Sequence, residues 1–266
     1  MRILILTSNH LRHKYLANRI CEKNKDVFII SEVQPLETGK VKTQSIGLGK
    51  CVHRHFQNIL ASEHLLFGNH SFFRGMKGIF PIMLNELMLN SVYKVICNIN
   101  PDVAIIFGSS WIKKPLLSLL PVSKTFNLHM GISPFYRGHS TNFWAFYNGE
   151  PEMVGSTILL LSPKLDKGDI VCHSVPPLQK GDDYYTFSMK AVSVAVENII
   201  VILNELAKGR KPKTFPQFKV EKTHYYRSKD FTEQVAEDFL ETYKKKFAIY
   251  LRSPKKRVKS LIDLQF

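Results

Sequence analysis

The chain has 266 residues, a formal net charge of +15 and an ordinary apolar fraction of 44%, enough for one large α/β body with a small appendage. The reading finds no run approaching the ~20 apolar residues that span a bilayer. The opening Met1-Arg2-Ile3-Leu4-Ile5-Leu6-Thr7 is short and carries no small-residue cleavage site, so a secretory leader is excluded and a cytoplasmic location is expected. Cys21, Cys51, Cys97 and Cys172 stand far apart without a CxxC pair, which excludes a zinc ribbon and a disulfide framework.

Residues 2–7 predict a buried strand, Tyr15 to Cys21 a helix face, and Val27 to Ile30 a second strand. This β-α-β opening points to a parallel sheet. It lacks GxGxxG, so nothing argues for a dinucleotide. Residues 32–80 are hard to read beyond a helix near Val52 to Leu66. A helix is expected from Pro81 to Ile99, broken by Asn100-Pro101-Asp102. Val103 to Phe107 predicts a strand, Gly108-Ser109-Ser110 a turn, Pro115 to Leu120 a short helix, and Lys124 to Leu128 another strand. Phe143 to Tyr147 suits a short helix. Val154 to Leu161 and Ile170 to Val175 suit strands joined by the polar loop 164–169. Asp182-Asp183 can cap a long helix that runs to Lys208, before Gly209. The tail reads as a turn, a short strand and an amphipathic helix over Thr232 to Phe247. Residues 1–208 are therefore expected to form one body and 209–266 a basic extension.

Lys208 to Ser260 holds sixteen Lys or Arg against six Asp or Glu. Such a surplus suits acidic partners or a solvated basic face, and names no function by itself.

The chemistry concentrates in one stretch. Asn127 and His129 lie two apart at a strand end, so alternation puts both side chains on one face. Ligands of open parallel sheets bind beyond the carboxyl ends of strands. Downstream comes Leu165-Asp166-Lys167-Gly168-Asp169. A carboxylate near a histidine orients the imidazole and favours its charged form. An Asn amide can donate to a developing oxyanion. Together the three can run acyl transfer. Taken singly, an Asn-x-His is a polar pair at a strand end, and an Asp-x-Gly-Asp loop is a turn bonding its own backbone. His53 and His55 have no carboxylate or Cys partner nearby and make no metal site.

The order of motifs resembles the folate-dependent formyltransferase family. It runs Asn127-Leu128-His129, Pro134-Phe135-Tyr136-Arg137-Gly138, Trp144-Ala145, Asn148-Gly149-Glu150, Gly155-Ser156-Thr157 and Leu165-Asp166-Lys167-Gly168-Asp169-Ile170. The resemblance is specific over about residues 100–180. It implies a Rossmann-like, mostly parallel sheet flanked by helices, N10-formyltetrahydrofolate as donor, and no metal. It places the catalytic Asn, His and Asp on Asn127, His129 and Asp166. It also places the pterin near Phe107, Gly108, Ser109, Ser110 and Trp111, and near Ser162 and Leu165. Many members carry Ser after the catalytic histidine, where this chain has Gly131.

Asn9, His10, Arg12 and His13, after the first strand, are candidates to touch the acceptor. Arg137 suits a phosphate or a loop lock. Three acceptors compete. The tail is short and poor in strands for a methionyl-tRNA enzyme. Thr7 to His13 lacks the glycine turn of a purine enzyme. A nucleotide-linked amino sugar, for cell-surface polysaccharide, fits by elimination. A non-enzymatic nucleic-acid-binding protein on the same scaffold is the reading outside the class; three intact site residues argue against it, and nucleic acid is not the expected partner. The tail suits either the arm of a homodimer or a lid over the substrate.

Overall fold

The computed structural model describes residues 1–34 and 49–266. The part of the hard-to-read stretch over 35–48 lies outside the described residues. In chain order, β1 (Ile3–Ser8), α1 (Leu11–Lys23) and β2 (Val27–Val33) form the opening unit. Then come α2 (Lys50–Phe67), β3 (Gly78–Met83), α3 (Asn90–Ile99) and β4 (Val103–Phe107). β5 (Thr125–Met130), the short β6 (Tyr136–Gly138) and α4 (Thr141–Tyr147) lead to β7 (Ser156–Leu160) and β8 (Ile170–Ser174). Last come α5 (Tyr184–Ala207), β9 (His224–Tyr226) and α6 (Glu233–Arg252).

The main sheet has the order β3-β2-β1-β4-β5-β7-β8. The first five strands run parallel, and β7 and β8 are antiparallel additions at one edge. This is the expected mostly parallel sheet flanked by helices. All residues of β1 and β4 are buried, which is why both read as unbroken apolar runs rather than alternating ones. The long helix α5 starts where its cap predicts. Thr186 N donates to Asp183 Oδ1 at 2.8 Å and Asp183 N donates to Thr186 Oγ1 at 3.0 Å, a reciprocal capping box.

Two expectations need correction. The helix expected from Pro81 to Ile99 is really the edge strand β3, a short turn and α3. A left-handed Asn85 at φ 72° turns the chain between them. Along β3 half-buried and exposed residues alternate, and Pro81 is tolerated there because the strand lies at the sheet edge. The apolar spacing over 83–99 mixed the end of that strand with a true helix. Second, α5 does have the length and hydropathy to cross a bilayer, with a mean hydropathy of 1.6. Fourteen of its residues, Phe187, Val192, Ile199 and Leu203 among them, are buried in the protein.

Aliphatic side chains fill both faces of the sheet, with Ile3, Ile5, Ile29 and Ile105 on one and Leu4, Leu6, Ala104 and Ile106 on the other. A separate aromatic core joins Phe143, Trp144, Phe146, Tyr184 and Phe187 to Phe239, Tyr243, Phe247 and Tyr250 of α6. The tail thus shares a core with the body. Glu233 at the start of α6 accepts from Cys51 N at 2.7 Å and Val52 N at 3.1 Å, capping α2. Farther on, Ile262 N donates to His173 Nδ1 at 2.9 Å and Ile262 O accepts from His173 N at 2.8 Å.

Candidate active site

The chain leaves β1 toward β2 and β3, then returns to place β4 on the other side of β1. A crevice opens at such a reversal, beyond the carboxyl ends of the strands. Here it is a cavity of about 640 Å³, lined by His10, Phe107 to Ile112, Asn127 to Met130, Leu159 to Ser162, and Asp166.

Asn127 and His129 lie on β5, two residues apart, and are brought to the cavity together. β7 pairs alongside, with Asn127 opposite Leu159 and His129 opposite Thr157. Asp166 arrives from the loop between β7 and β8. Its Oδ1 accepts from Asn127 Nδ2 at 3.4 Å, and its Oδ2 stands 3.6 Å from His129 Nδ1. The side chains of His129 and Asp166 are 11% and 10% exposed. The carboxylate therefore holds the Nδ1 edge of the ring. The opposite nitrogen, Nε2, is buried and has no hydrogen-bond partner. A buried polar atom left unmatched is costly, and a ligand atom is one way to satisfy it.

The loop's shape depends on close backbone approaches. A Cβ at Gly168 would run into the Leu160 carbonyl, so glycine lets the loop lie flat on β7. Asp166 itself is left-handed, with φ 51°. Its carbonyl and that of Gly168 each accept from Gln217 Nε2 at 2.8 Å. Gly131, where a serine was the comparison, has φ 129°, and a Cβ there would collide with Thr141. Thr141 in turn donates to the Met130 carbonyl. In this chain the backbone beside His129 has no room for a serine side chain.

Phe107, Gly108, Ser109, Ser110 and Trp111 line the cavity, as do Ser162 and Leu165. Trp111 and Leu165 are 48% and 49% exposed. Lys113 Nζ sits 4.6 Å from the Trp111 ring centre. The turn after β4 is held by the buried carboxylate of Glu32, which accepts from Ser110 N and from Asn85 N. The Ser162 hydroxyl donates to the Lys164 carbonyl at 2.7 Å.

The acceptor candidates separate. His10, Arg12 and His13 line the cavity. Asn9 does not line it; its amide clips the Gln34 main chain, donating to the carbonyl at 2.9 Å and accepting from the N–H at 3.1 Å. Arg137 also lies outside the lining and donates to Gln217 Oε1. Burial pulls its guanidinium below the usual range, and the nearby Asp166 charge opposes that pull.

His55 and Glu63 also line the cavity, and neither was an acceptor candidate from the sequence. His13 accepts or donates at Nδ1 with Ser8 Oγ at 2.7 Å; burial, then Arg12 and His10, push it well below the ordinary histidine range. Arg12 pairs with the buried Glu63, and burial pulls Arg12 down to about 10. His55 sits among Phe56, Phe143, Tyr185, Phe231 and Phe239, and burial pushes it down to about 3. These residues come from helices and carry no motif. Among the described residues, no group of three or more His, Cys, Asp or Glu is placed to hold a metal. Of the cysteines, Cys21 and Cys172 are buried, Cys51 is half-buried and Cys97 is exposed.

The sequence matches the formyl transferase family model over residues 1–203. A methionyl-tRNA formyltransferase of Hydrogenobaculum sp. is 36% identical over 93 residues, 35% of this chain and 30% of that protein. The chain thus aligns with under a third of that relative's length. Among solved structures, a 4-N formyltransferase from Francisella tularensis superposes with a TM-score of 0.55 at 15% identity, covering 86% of this chain and 78% of that one. An N-formyltransferase from Helicobacter canadensis, in complex with folinic acid and dTDP-3-aminofucose, gives 0.55 at 13% identity, over 87% and 73%. These two share the fold.

Proposed function

Because the chain belongs to the formyl transferase family, we propose that it moves the formyl group of N10-formyltetrahydrofolate to the amine of a nucleotide-linked amino sugar, using Asn127, His129 and Asp166. The observation that carries this reading is the buried, unpartnered Nε2 of His129, on a residue that lines the cavity beside the Asn127 amide. In this reading a neutral amine attacks the formyl carbon. The new C–N bond forms, and the formyl oxygen takes the negative charge. The Asn127 N–H and His129 Nε2–H donate to that oxygen, where charge develops. Collapse of the intermediate breaks the bond to folate N10. The proton lost by the amine travels to N10 through His129 or a water beside Asp166. Asp166 keeps the imidazole aimed through its contact at Nδ1.

The part of the cavity lined by Phe107–Trp111, Ser162 and Leu165 suits the pterin, a flat ring that main-chain groups and the exposed Trp111 and Leu165 can flank. His10, Arg12, His13, His55 and Glu63 are left for the acceptor. Residues 1–208 act as the catalytic body, and 209–266 as an extension that braces it. The sugar acceptor draws support from the Helicobacter canadensis enzyme of like fold, whose complex holds a dTDP-linked amino sugar, and from the basic surplus, which suits a diphosphate. A methionyl-tRNA acceptor is the second reading, favoured by the identity to the Hydrogenobaculum enzyme.

The test is folate release followed by absorbance, with N10-formyltetrahydrofolate and a panel of dTDP-, UDP- and GDP-linked amino sugars, glycinamide ribonucleotide and charged initiator tRNA. Turnover is expected with a nucleotide sugar, and His129→Ala should lower kcat by about 10²–10⁴. Turnover confined to the tRNA would replace the acceptor. No turnover with any acceptor, alongside salt-sensitive nucleic-acid binding, would overturn the enzymatic reading.

A further inference from the structure

Asp166 is the one member of the proposed trio that no regular element holds. It stands in a loop, in a left-handed conformation at φ 51°, a region that non-glycine residues enter at some cost. Three observations show what holds it. Gln217 Nε2 donates at 2.8 Å to the carbonyls of both Asp166 and Gly168, bracketing the loop. Gln217 Oε1 accepts from Arg137, so the amide cannot flip without breaking that contact. Phe215, two residues earlier, is tied to Ile170 at the start of β8 by two main-chain bonds of 2.8 Å each. The tail therefore reaches the loop at a fixed height.

We infer that Gln217 is a positioning residue, which holds the Asp166 carboxylate against His129 Nδ1 by clamping the loop's main chain. The inference rests on the proposed role of Asp166. The geometry is specific to an amide. A single side chain donates to two carbonyls and accepts from a guanidinium, and no other neutral side chain of that reach does both. Without the donor, two carbonyls lose their partner, and a left-handed Asp166 loses what over-determines it. The carboxylate sits 3.6 Å from the ring, so a small drift uncouples the two. Arg137 acts one step further back, by holding Gln217.

The test reads the His129 ring directly and needs no acceptor. The imidazole ¹⁵N shifts of His129 are recorded at one pH in the wild type, Asp166→Asn, Gln217→Ala and Gln217→Glu, with His129→Gln for assignment. Which ring nitrogen carries the proton depends on the partner of the other, so Asp166→Asn sets the scale. Gln217→Ala is expected to move the shifts in the same direction, by at least half as much. Gln217→Glu separates the clamp from tail docking. It keeps an acceptor for Arg137, so thermal unfolding should stay close to wild type. It also faces two carbonyl oxygens with no donor, so its ¹⁵N shifts should follow Gln217→Ala. With the acceptor that gives turnover, both variants should lower kcat by about ten- to a hundredfold and leave the folate KM near wild type. Wild-type ¹⁵N shifts in a folded Gln217→Glu would overturn the inference. Wild-type turnover is scored separately, so failure of the reaction reading and failure of the clamp are told apart.

Discussion

The core beneath the parallel strands and the core that joins α6 to the body use different residues from different places. Under the sheet, Ile3, Ile5, Val27, Ile29, Val103 and Ile105 are buried. Each strand brings several of them within a few positions of one another. In the second core, Phe143 lies 4.8 Å from Phe239 between ring centres, Tyr184 4.9 Å from Phe239, and Phe187 5.7 Å from Phe247. Here each helix brings a few rings, and the partners lie scores of residues apart. The first core is assembled from runs, the second from meetings. The candidate site divides in the same way. Asn127 and His129 ride on a strand of the first kind. Asp166 is braced by a tail segment whose Phe218 ring lies 5.9 Å from Phe135, a residue packed against the second core.

The largest expected effect tests whether the two cores are separable. Phe239 is 1% exposed and touches rings from α2, α4 and α5. Phe239→Ala should cost about 3–5 kcal/mol in urea unfolding. Hydrogen exchange should rise first in α6 and β9, while β1 and β4 stay protected. Equal loss of protection everywhere would mean one cooperative unit, and would break the comparison.

A smaller effect comes with acid. His55 lies in the aromatic core with its ring held neutral, pushed down to about 3 from an ordinary 6.5. Below 6.5 the unfolded chain binds a proton that the folded chain refuses. Stability is therefore complete above 6.5 and falls as pH drops toward 3, by about 2 kcal/mol at pH 5 for this histidine alone. The urea midpoint should fall between pH 7.5 and 5, and His55→Phe should weaken that dependence. If the variant kept all of it, the acid sensitivity would belong to the other histidines that burial holds down, His13, His139 and His173 among them.

The smallest effect concerns the cap between α6 and α2. Cys51 N and Val52 N each donate to a different oxygen of Glu233, so Glu233→Gln keeps an acceptor for only one of them and removes the charge at the helix start. A loss of about 0.5–1 kcal/mol is expected, seen as a drop of roughly 1–4 °C in Tm. An unchanged Tm would assign the docking of α6 to its rings alone.

The difference between the cores also explains what could be read beforehand. β1, β4 and α5 were legible because burial leaves a compact apolar run, or a capped apolar helix, in the sequence, and β5 because Phe126 and Leu128 alternate with polar neighbours. Asn127 and His129 were legible because strand alternation fixes their shared face. β3 was not, since Pro81 and a half-exposed edge erase the strand signal. The cavity roles of His55 and Glu63 were not, since the two residues reach it only through the packing of α2 on the body. Gln217 carries no motif and lies 51 residues from the carbonyl it bonds.

By itself the sequence determined the parallel strands β1, β2, β4 and β5, the long helix with its Asp183 cap, and the pairing of Asn127 with His129, because each depends on neighbours within a few residues. The tertiary structure alone decided that α6 completes an aromatic core, that Gly131 has no room for a side chain, and that the Asp166 loop is held from the tail. Those outcomes depend on which distant groups come within 3 or 4 Å, and local propensity carries no information about that.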